Sequence, residues 1–176
     1  MPTEMDKTTG AVQMAIQMEI DGKEFYLKAS QASNNKLGKD LLQSLAAEED
    51  IHRQKFEEIY DTISRKKAWP DIDFQHDGGR KLRTIFARAI ENNESGITTI
   101  PTELDALQTA MAMENKTLDY YQSRSKLANY DAERNFYEAL SIQEGEHHRI
   151  LLDYYEFLKD PASWFVQKEH PSLDGS

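Results

Sequence analysis

Four long stretches of this chain carry apolar residues at alternating spacings of three and four, the signature of amphipathic helices. The first runs from about Thr8 to Ser33, with Val12, Ile16, Glu19, Lys23 and Tyr26 on one stripe and Gly22 beside it. Asn34-Asn35 and Gly38 supply turn chemistry after it. The second runs from about Lys39 to Arg65, and its stripe is Leu42, Leu45, Glu49, His52, Phe56, Ile59 and Ile63. The third opens at Thr102 behind Pro101, with Thr102 and Asp105 as a variant capping box, and its stripe is Leu104, Leu107, Met111, Glu114, Leu118 and Tyr121. The fourth begins near Asp131, an expected N-cap, and its stripe is Tyr137, Leu140, Glu144, His147, Leu151, Tyr154 and Leu158, with Pro161 after its end.

Short turns join the first stretch to the second and the third to the fourth, so each pair is expected to form an antiparallel hairpin. Between the hairpins lies a long crossover, about residues 66–101, in which Trp69-Pro70 and Asp77-Gly78-Gly79 mark irregular chain. Within it, Lys81 to Asn92 has helical spacing and predicts a short extra helix, ended by Ser95-Gly96. The expected architecture is an all-α four-helix bundle over residues 1–160, followed by a tail over 161–176 whose Trp164, Phe165 and Val166 cap the bundle or pack on a partner. A crossover of this length also permits a homodimer that exchanges one hairpin between subunits.

Composition narrows the function. With 176 residues, 30% of them charged, the chain suits one soluble, helix-rich domain. A net charge of −10 repels phosphate backbones, which argues against nucleic acid as a partner. The absence of cysteine excludes disulfides, thiolate-bound metal, iron–sulfur clusters and thiol catalysis. No apolar run is long enough to span a bilayer, and the polar start from Met1 to Gly10 is unlike a secretory signal. A cytoplasmic protein with no membrane partner is the expectation.

The stripes are not purely apolar, and their polar members repeat. Glu49-x-x-His52 and Glu144-x-x-His147 are copies of one unit, and each follows by thirty residues another glutamate, Glu19 or Glu114. All these positions are offset by ninety-five residues between halves, which reads as an internal duplication with a pseudo-twofold axis. Glu19 and Glu49 lie equally far from Asn34, both roughly 22 Å from the turn at 1.5 Å per residue. Glu114 and Glu144 bracket Asn129 in the same way. Packing the hairpins together brings four glutamates to mid-bundle, with each histidine on the same face nearly one turn away. Unpaired carboxylates in a dry interior cost several kcal/mol each, and no lysine or arginine sits on the stripes at that level to balance them. Lys23 is the nearest, and its stem is long enough to carry its charge outward. Two divalent cations would cancel the four negative charges. Oxygen ligands with one imidazole per ion suit iron or manganese, and zinc also accepts this set. The candidate ligands are Glu19, Glu49, His52, Glu114, Glu144 and His147. Tyr26 and Tyr121, two turns beyond Glu19 and Glu114, are expected as core aromatics with satisfied hydroxyls; the alternative is a hydrogen bond near the metals, or carriage of an oxidising equivalent. His148 is expected to face solvent, and His76 and His170 fall in the crossover and the tail, away from the ligands.

At these residues the chain resembles the rubrerythrin-like branch of the ferritin-like superfamily. The resemblance covers about Thr8 to Lys159 and rests on Met18-Glu19-x-x-Gly22-x-x-Phe25-Tyr26, Glu49-x-x-His52, Met113-Glu114 with Tyr120-Tyr121, and Glu144-x-x-His147. It implies a ferritin-like bundle in which Glu49 and Glu144 bridge two metal ions. Glu19 and Glu114 would be terminal carboxylates, one per ion, and His52 and His147 the nitrogen ligands, each on the ion nearer its own hairpin. It implies two iron ions and an oxidative-stress role: reduction of hydrogen peroxide or dioxygen, or oxidation of ferrous iron. Two features depart from rubrerythrins proper. Thr117 stands where they carry a further glutamate, and the lack of cysteine rules out their rubredoxin-type centre. Electrons would therefore come from a separate donor protein or from ferrous iron.

The leading expectation is a di-iron or di-manganese oxidoreductase acting on peroxide or dioxygen. Ferroxidase activity coupled to iron storage is the second, and a helical interaction module without chemistry is the third. A many-subunit shell would favour storage, and metal analysis would separate the module from the other two.

Overall fold

The computed structural model describes residues 1–92 and 100–164. Their main helices are α1 Glu4–Ala32, α2 Lys36–Lys66, α3 Arg80–Glu91, α4 Pro101–Leu127 and α5 Asp131–Lys159, and residues 161–164 are helical as well. Among the described residues there is no strand. The protein is an all-α, ferritin-like bundle. α1 packs along α2 and α4 along α5, and the two hairpins meet chiefly through α1 and α4. Ser33, at the end of α1, donates to Glu103 in the first turn of α4, so α4 starts beside the turn between α1 and α2. Tyr120, late in α4, donates to the carbonyl of Ala11 early in α1, so these two helices run antiparallel. Among the described residues, no helix is long and apolar enough to cross a membrane.

Helix ends differ from the sequence expectation in instructive ways. α1 begins at Glu4 rather than Thr8 because Thr3 and Asp6 close a capping box: the Thr3 hydroxyl accepts from the Asp6 N–H at 3.1 Å, and the Asp6 carboxylate accepts from the Thr3 N–H at 2.9 Å. α2 begins at Lys36, capped by Asn35, whose side-chain oxygen accepts from the Gly38 N–H. Gly38 therefore lies inside the first turn and does not break it. The box expected from Thr102 and Asp105 does not form. Ile100 takes the cap position with no side-chain bond, and Pro101 at the first helical position has no N–H to satisfy. Asp131 is likewise the first helical residue rather than the cap, which is Tyr130; Glu133 reaches back to accept from the Asn129 N–H at 3.0 Å. The short helix of the crossover spans Arg80–Glu91, with Leu82, Phe86 and Ala89 buried against the bundle. Ser95-Gly96 lies outside the described residues, as do Phe165, Val166 and His170. Trp164 packs edge-on to Phe86 and Phe157, with ring centroids 5.5 and 6.3 Å away.

Two apolar clusters fill the bundle, one toward each end. One gathers Val12, Ala15, Phe56, Ile59, Ile63, Trp69, Tyr121, Phe136, Tyr137 and Leu140. The other includes Tyr26, Leu41, Leu42, Leu45, Ala46, Leu107, Ala110, Ile150 and Leu151, together with the buried face of α3. Between the two, on all four long helices, stand the polar members of the stripes. Ala15 and Tyr26 bracket Glu19, Ala46 and Phe56 bracket Glu49 and His52, Ala110 and Tyr121 bracket Glu114, and Leu140 and Ile150 bracket Glu144 and His147. Each end of the bundle thus seals the centre from water.

Gly38 is fixed by a close approach. A Cβ there would run into Ser33 Oγ, Tyr154 OH and Glu103 Oε1, which together form a buried polar knot where α1, α2, α4 and α5 come together. Gly38→Ala is expected to cost about 1–3 kcal/mol through overpacking, read as a lower urea midpoint with an unchanged slope.

Candidate metal centre

The seven-residue repeat of the stripes turns one polar position on α1 and on α4, and two on α2 and on α5, toward the bundle axis, and the equal heights of the two hairpins bring those positions together. Glu19, His52, Glu144 and His147 are fully buried, and Glu49 and Glu114 are 4% exposed. Their ligand atoms form two overlapping groups, each within 4.8 Å: Glu19, Glu49, His52 and Glu144 in one, Glu49, Glu114, Glu144 and His147 in the other. Glu49 and Glu144 belong to both. The structure thus brings all six sequence-predicted residues together, and neither His148 nor His76 joins them. His148 is partly buried rather than solvent-facing. The His76 Nδ1 accepts from the Gly78 N–H in the crossover.

The two imidazoles lie nearly parallel, 13° apart, with centroids separated by 5.8 Å. Each turns Nδ1 toward the carboxylates. His52 Nδ1 is 3.3 Å from Glu19 Oε2 and 3.1 Å from Glu144 Oε1. His147 Nδ1 is 2.9 Å from Glu49 Oε1, and 3.5 Å from both Glu114 Oε1 and Glu144 Oε2. Yet Glu49 Oε1, both Glu144 oxygens and His147 Nδ1 have no properly oriented hydrogen-bond partner. Buried polar atoms are nearly always satisfied, so a set of close, convergent and unpartnered ones marks a place for a cation. The donor set, oxygen with one imidazole per group, fits such an ion. Gly22 makes room for the Glu49 carboxylate: a Cβ there would stand 3.0 Å from Glu49 Oε2.

Tyr26 and Tyr121 do more than pack. The Tyr26 hydroxyl donates to Glu114 Oε1, and the Tyr121 hydroxyl donates to Glu19 Oε1. Each tyrosine holds the glutamate of the opposite hairpin, not that of its own helix. Burial, followed by the neighbouring carboxylates, pushes both phenols far above their usual range, so they remain donors. Lys23 turns away to Asp50 at 2.9 Å. Tyrosine hydroxyls and histidine nitrogens meet the four central carboxylates, and Glu114 and Glu144 meet each other.

In the absence of a cation, the cluster keeps protons. Burial, then Glu144, raises Glu114 to about 8. Burial, then Glu144, Glu19 and Glu114, pushes Glu49 well above the ordinary carboxylate range. Burial opposes charging His52 and His147, but Glu19 acting on His52 and Glu114 acting on His147, with their neighbours, outweigh it and lift both. Glu144 goes the other way: burial works against its charge, but contacts with Glu114, His147 and His52 prevail and hold it well below its usual value.

Sequence reasoning missed Glu48. It lies one residue before Glu49, off the apolar seam, but is only 9% exposed. Its Oε2 accepts from His147 Nε2 at 2.6 Å and from Gln143 Nε2 at 3.0 Å. Burial would raise its carboxyl, but the His147 and Gln143 hydrogen bonds outweigh that and hold it below the usual range. Phe74 of the crossover was also missed; its ring stands edge-on to His52 at 5.6 Å.

A family model for rubrerythrin matches residues 11–155. The chain belongs to the rubrerythrin family. Comparison with curated proteins found no match, and neither did comparison with solved structures. Within this rubrerythrin-family chain, the buried glutamate–histidine cluster fits a metal site of the di-iron carboxylate type. Thr117 offers no carboxylate: its hydroxyl donates to the Met113 carbonyl of its own helix at 3.0 Å.

Proposed function

We propose that the protein is a di-iron oxidoreductase that reduces hydrogen peroxide or dioxygen, with Glu19, Glu49, His52, Glu114, Glu144 and His147 as the metal ligands. The observation that carries this reading is the sharing of Glu49 and Glu144 between both ligand groups. Two adjacent positions with two carboxylates in common suit a pair of ions rather than one. Glu49 and Glu144 would serve both ions, with Glu19 and His52 completing one position and Glu114 and His147 the other. Such a pair, when bound, would supply the reducing electrons to the oxidant.

The chain's own residues set the conditions for that chemistry. Tyr26 and Tyr121 orient Glu114 and Glu19 through the hydrogen bonds their hydroxyls donate. The apolar clusters above and below exclude bulk water, which strengthens every charge interaction between them. Glu114, with its carboxyl raised to about 8 in the metal-free cluster, holds a proton near neutral pH that a bound cation would displace. Manganese fits the same donors, and electrons come from a separate donor protein or from ferrous iron itself, since these 176 residues hold no cysteine for a second iron centre.

The test is elemental analysis after gentle purification, joined to stopped-flow mixing of the ferrous protein with peroxide and with oxygen. The expected result is two iron ions per chain, with oxidation by at least one oxidant faster than that of free ferrous iron. Turnover of added ferrous iron, with the product retained in a large shell, would shift the reading to iron storage. A protein that takes up no redox metal would defeat it.

A further inference from the structure

The two halves of the site are not equivalent, and the difference lies behind the histidines. The internal duplication pairs position 48 with position 143, and these are Glu48 and Gln143. His147 Nε2 donates to Glu48 Oε2 at 2.6 Å. A twofold-symmetric site would set the side chain at 143 against His52 Nε2 in the same manner. Instead, Gln143 turns its amide nitrogen to Glu48 at 3.0 Å, and both its own Oε1 and His52 Nε2 are buried without a partner. His52 has the edge of Phe74 beside it, where His147 has a carboxylate. One imidazole is therefore anchored and the other is not.

We infer that Glu48 makes the two metal positions unequal: the ion beside His147 is held tightly, while the ion beside His52 exchanges. This rests on the two-metal reading above. A carboxylate that accepts the distal N–H of a ligating imidazole fixes its tautomer and ring orientation and makes the ligating nitrogen more basic, and loss of such a partner typically lowers metal affinity about 10–100-fold. Glu48 gives His147 all three. Gln143 strengthens the arrangement by donating to the same oxygen, and it gives nothing to His52. The negative charge of Glu48 also lies nearer the His147 position, where it attracts a cation. The site thus holds one resident and one exchangeable ion, although its six inner ligands repeat almost perfectly.

Glu48 could instead act only as a polar tie between α2 and α5, so the test needs a readout that a tie would not move. The metal-free full chain is titrated anaerobically with cobalt(II) against a competing chelator, using visible absorbance to count ions. The wild type is expected to fill in two steps, the first about 10–100-fold tighter. Glu48→Gln should weaken the first step to near the second, with both ions still bound. The exchange variant Glu48→Gln/Gln143→Glu moves the carboxylate to the other side. It should restore two steps with the order reversed, so that His52→Ala in that background removes the tight step, as His147→Ala does in the wild type. Two equal steps in the wild type would overturn the inference and leave the two-metal reading standing. Equal weakening of both steps by Glu48→Gln, with a lower melting temperature, would reduce Glu48 to a tie and also overturn it. Failure to bind any cobalt would overturn both readings.

Discussion

Adding ferrous or manganous ion to the metal-free protein is expected to raise its melting temperature by about 15 °C or more. Ligands that bind only the folded chain stabilise it by about 4 kcal/mol each at a thousandfold excess over the dissociation constant. Here the effect has a second source, because the cation replaces protons that the empty cluster must otherwise keep. The metal-free protein should therefore lose stability as pH rises from about 5 to about 8, while the loaded protein should change little. The sign follows from the direction of the shifts. Glu114 rises from 4.5 to about 8 and Glu49 moves the same way, so the folded state holds protons that the unfolded chain has released. The stability they contribute is complete below about 4.5 and is lost as pH climbs through the folded values. His52 and His147, also raised, add to the same trend from about 6.5 upward. Glu144 is lowered, so its contribution is already in force across this window and declines only in stronger acid. Scanning calorimetry of both forms at several pH values isolates the site, since surface groups titrate alike in each. Identical melting temperatures with and without metal would count against the centre, and so would a metal-free curve that climbs with pH.

Much of the fold is legible because two of the four stripes are written in large residues. Every stripe position named on α2 and α5, from Leu42 to Ile63 and from Tyr137 to Leu158, is buried. α1 and α4 read less clearly. Ile16, Lys23, Leu104, Met111 and Leu118 lie at the edges of their faces, only partly buried, and the buried line runs partly through Ala15, Gly22 and Ala110. Small residues contrast weakly with polar ones, so a stripe built from them is faint even where two helices approach closely. Helix starts were the least legible, because a cap is decided by one or two hydrogen bonds, not by a period. Thr3 with Asp6 carries α1 back through a stretch with no apolar stripe to reveal it. At the site, the duplication gave the heights of the six central residues, and the structure brings them together. What it could not give was contact between hairpins. That Tyr26 holds Glu114 and Tyr121 holds Glu19 depends on α1 and α4 running antiparallel side by side. Glu48 reads as a surface neighbour of Glu49 until α5 packs against it and sets His147 within 2.6 Å.

Glu49 and Glu144, equivalent by the duplication, are expected to respond in opposite directions to the same substitution in the metal-free protein. Glu49→Gln keeps the shape of the side chain and removes a carboxyl that Glu144, Glu19 and Glu114 all repel. It should stabilise the metal-free form by about 1–4 kcal/mol at alkaline pH, the range seen when buried charges are replaced by neutral groups. The gain should vanish near pH 5, where Glu49 is already protonated. Glu144→Gln removes the carboxylate that stays charged and faces both imidazoles, His52 at 3.1 Å and His147 at 3.5 Å. Leaving those two without it should cost about 3–5 kcal/mol, the range for removing one partner of a buried ion pair. Toward metal, the two variants should converge: each loses a shared carboxylate, so neither should hold a pair of ions, and peroxide reduction should fall to background in both. His148→Ala, outside both ligand groups, should keep two ions and near-normal stability. The measurements are urea unfolding of the metal-free proteins at two pH values and metal content of the loaded ones. If Glu49→Gln and Glu144→Gln destabilise the metal-free chain equally, the opposed electrostatics of the two carboxylates are wrong. If His148→Ala loses metal as they do, the helix faces are misassigned.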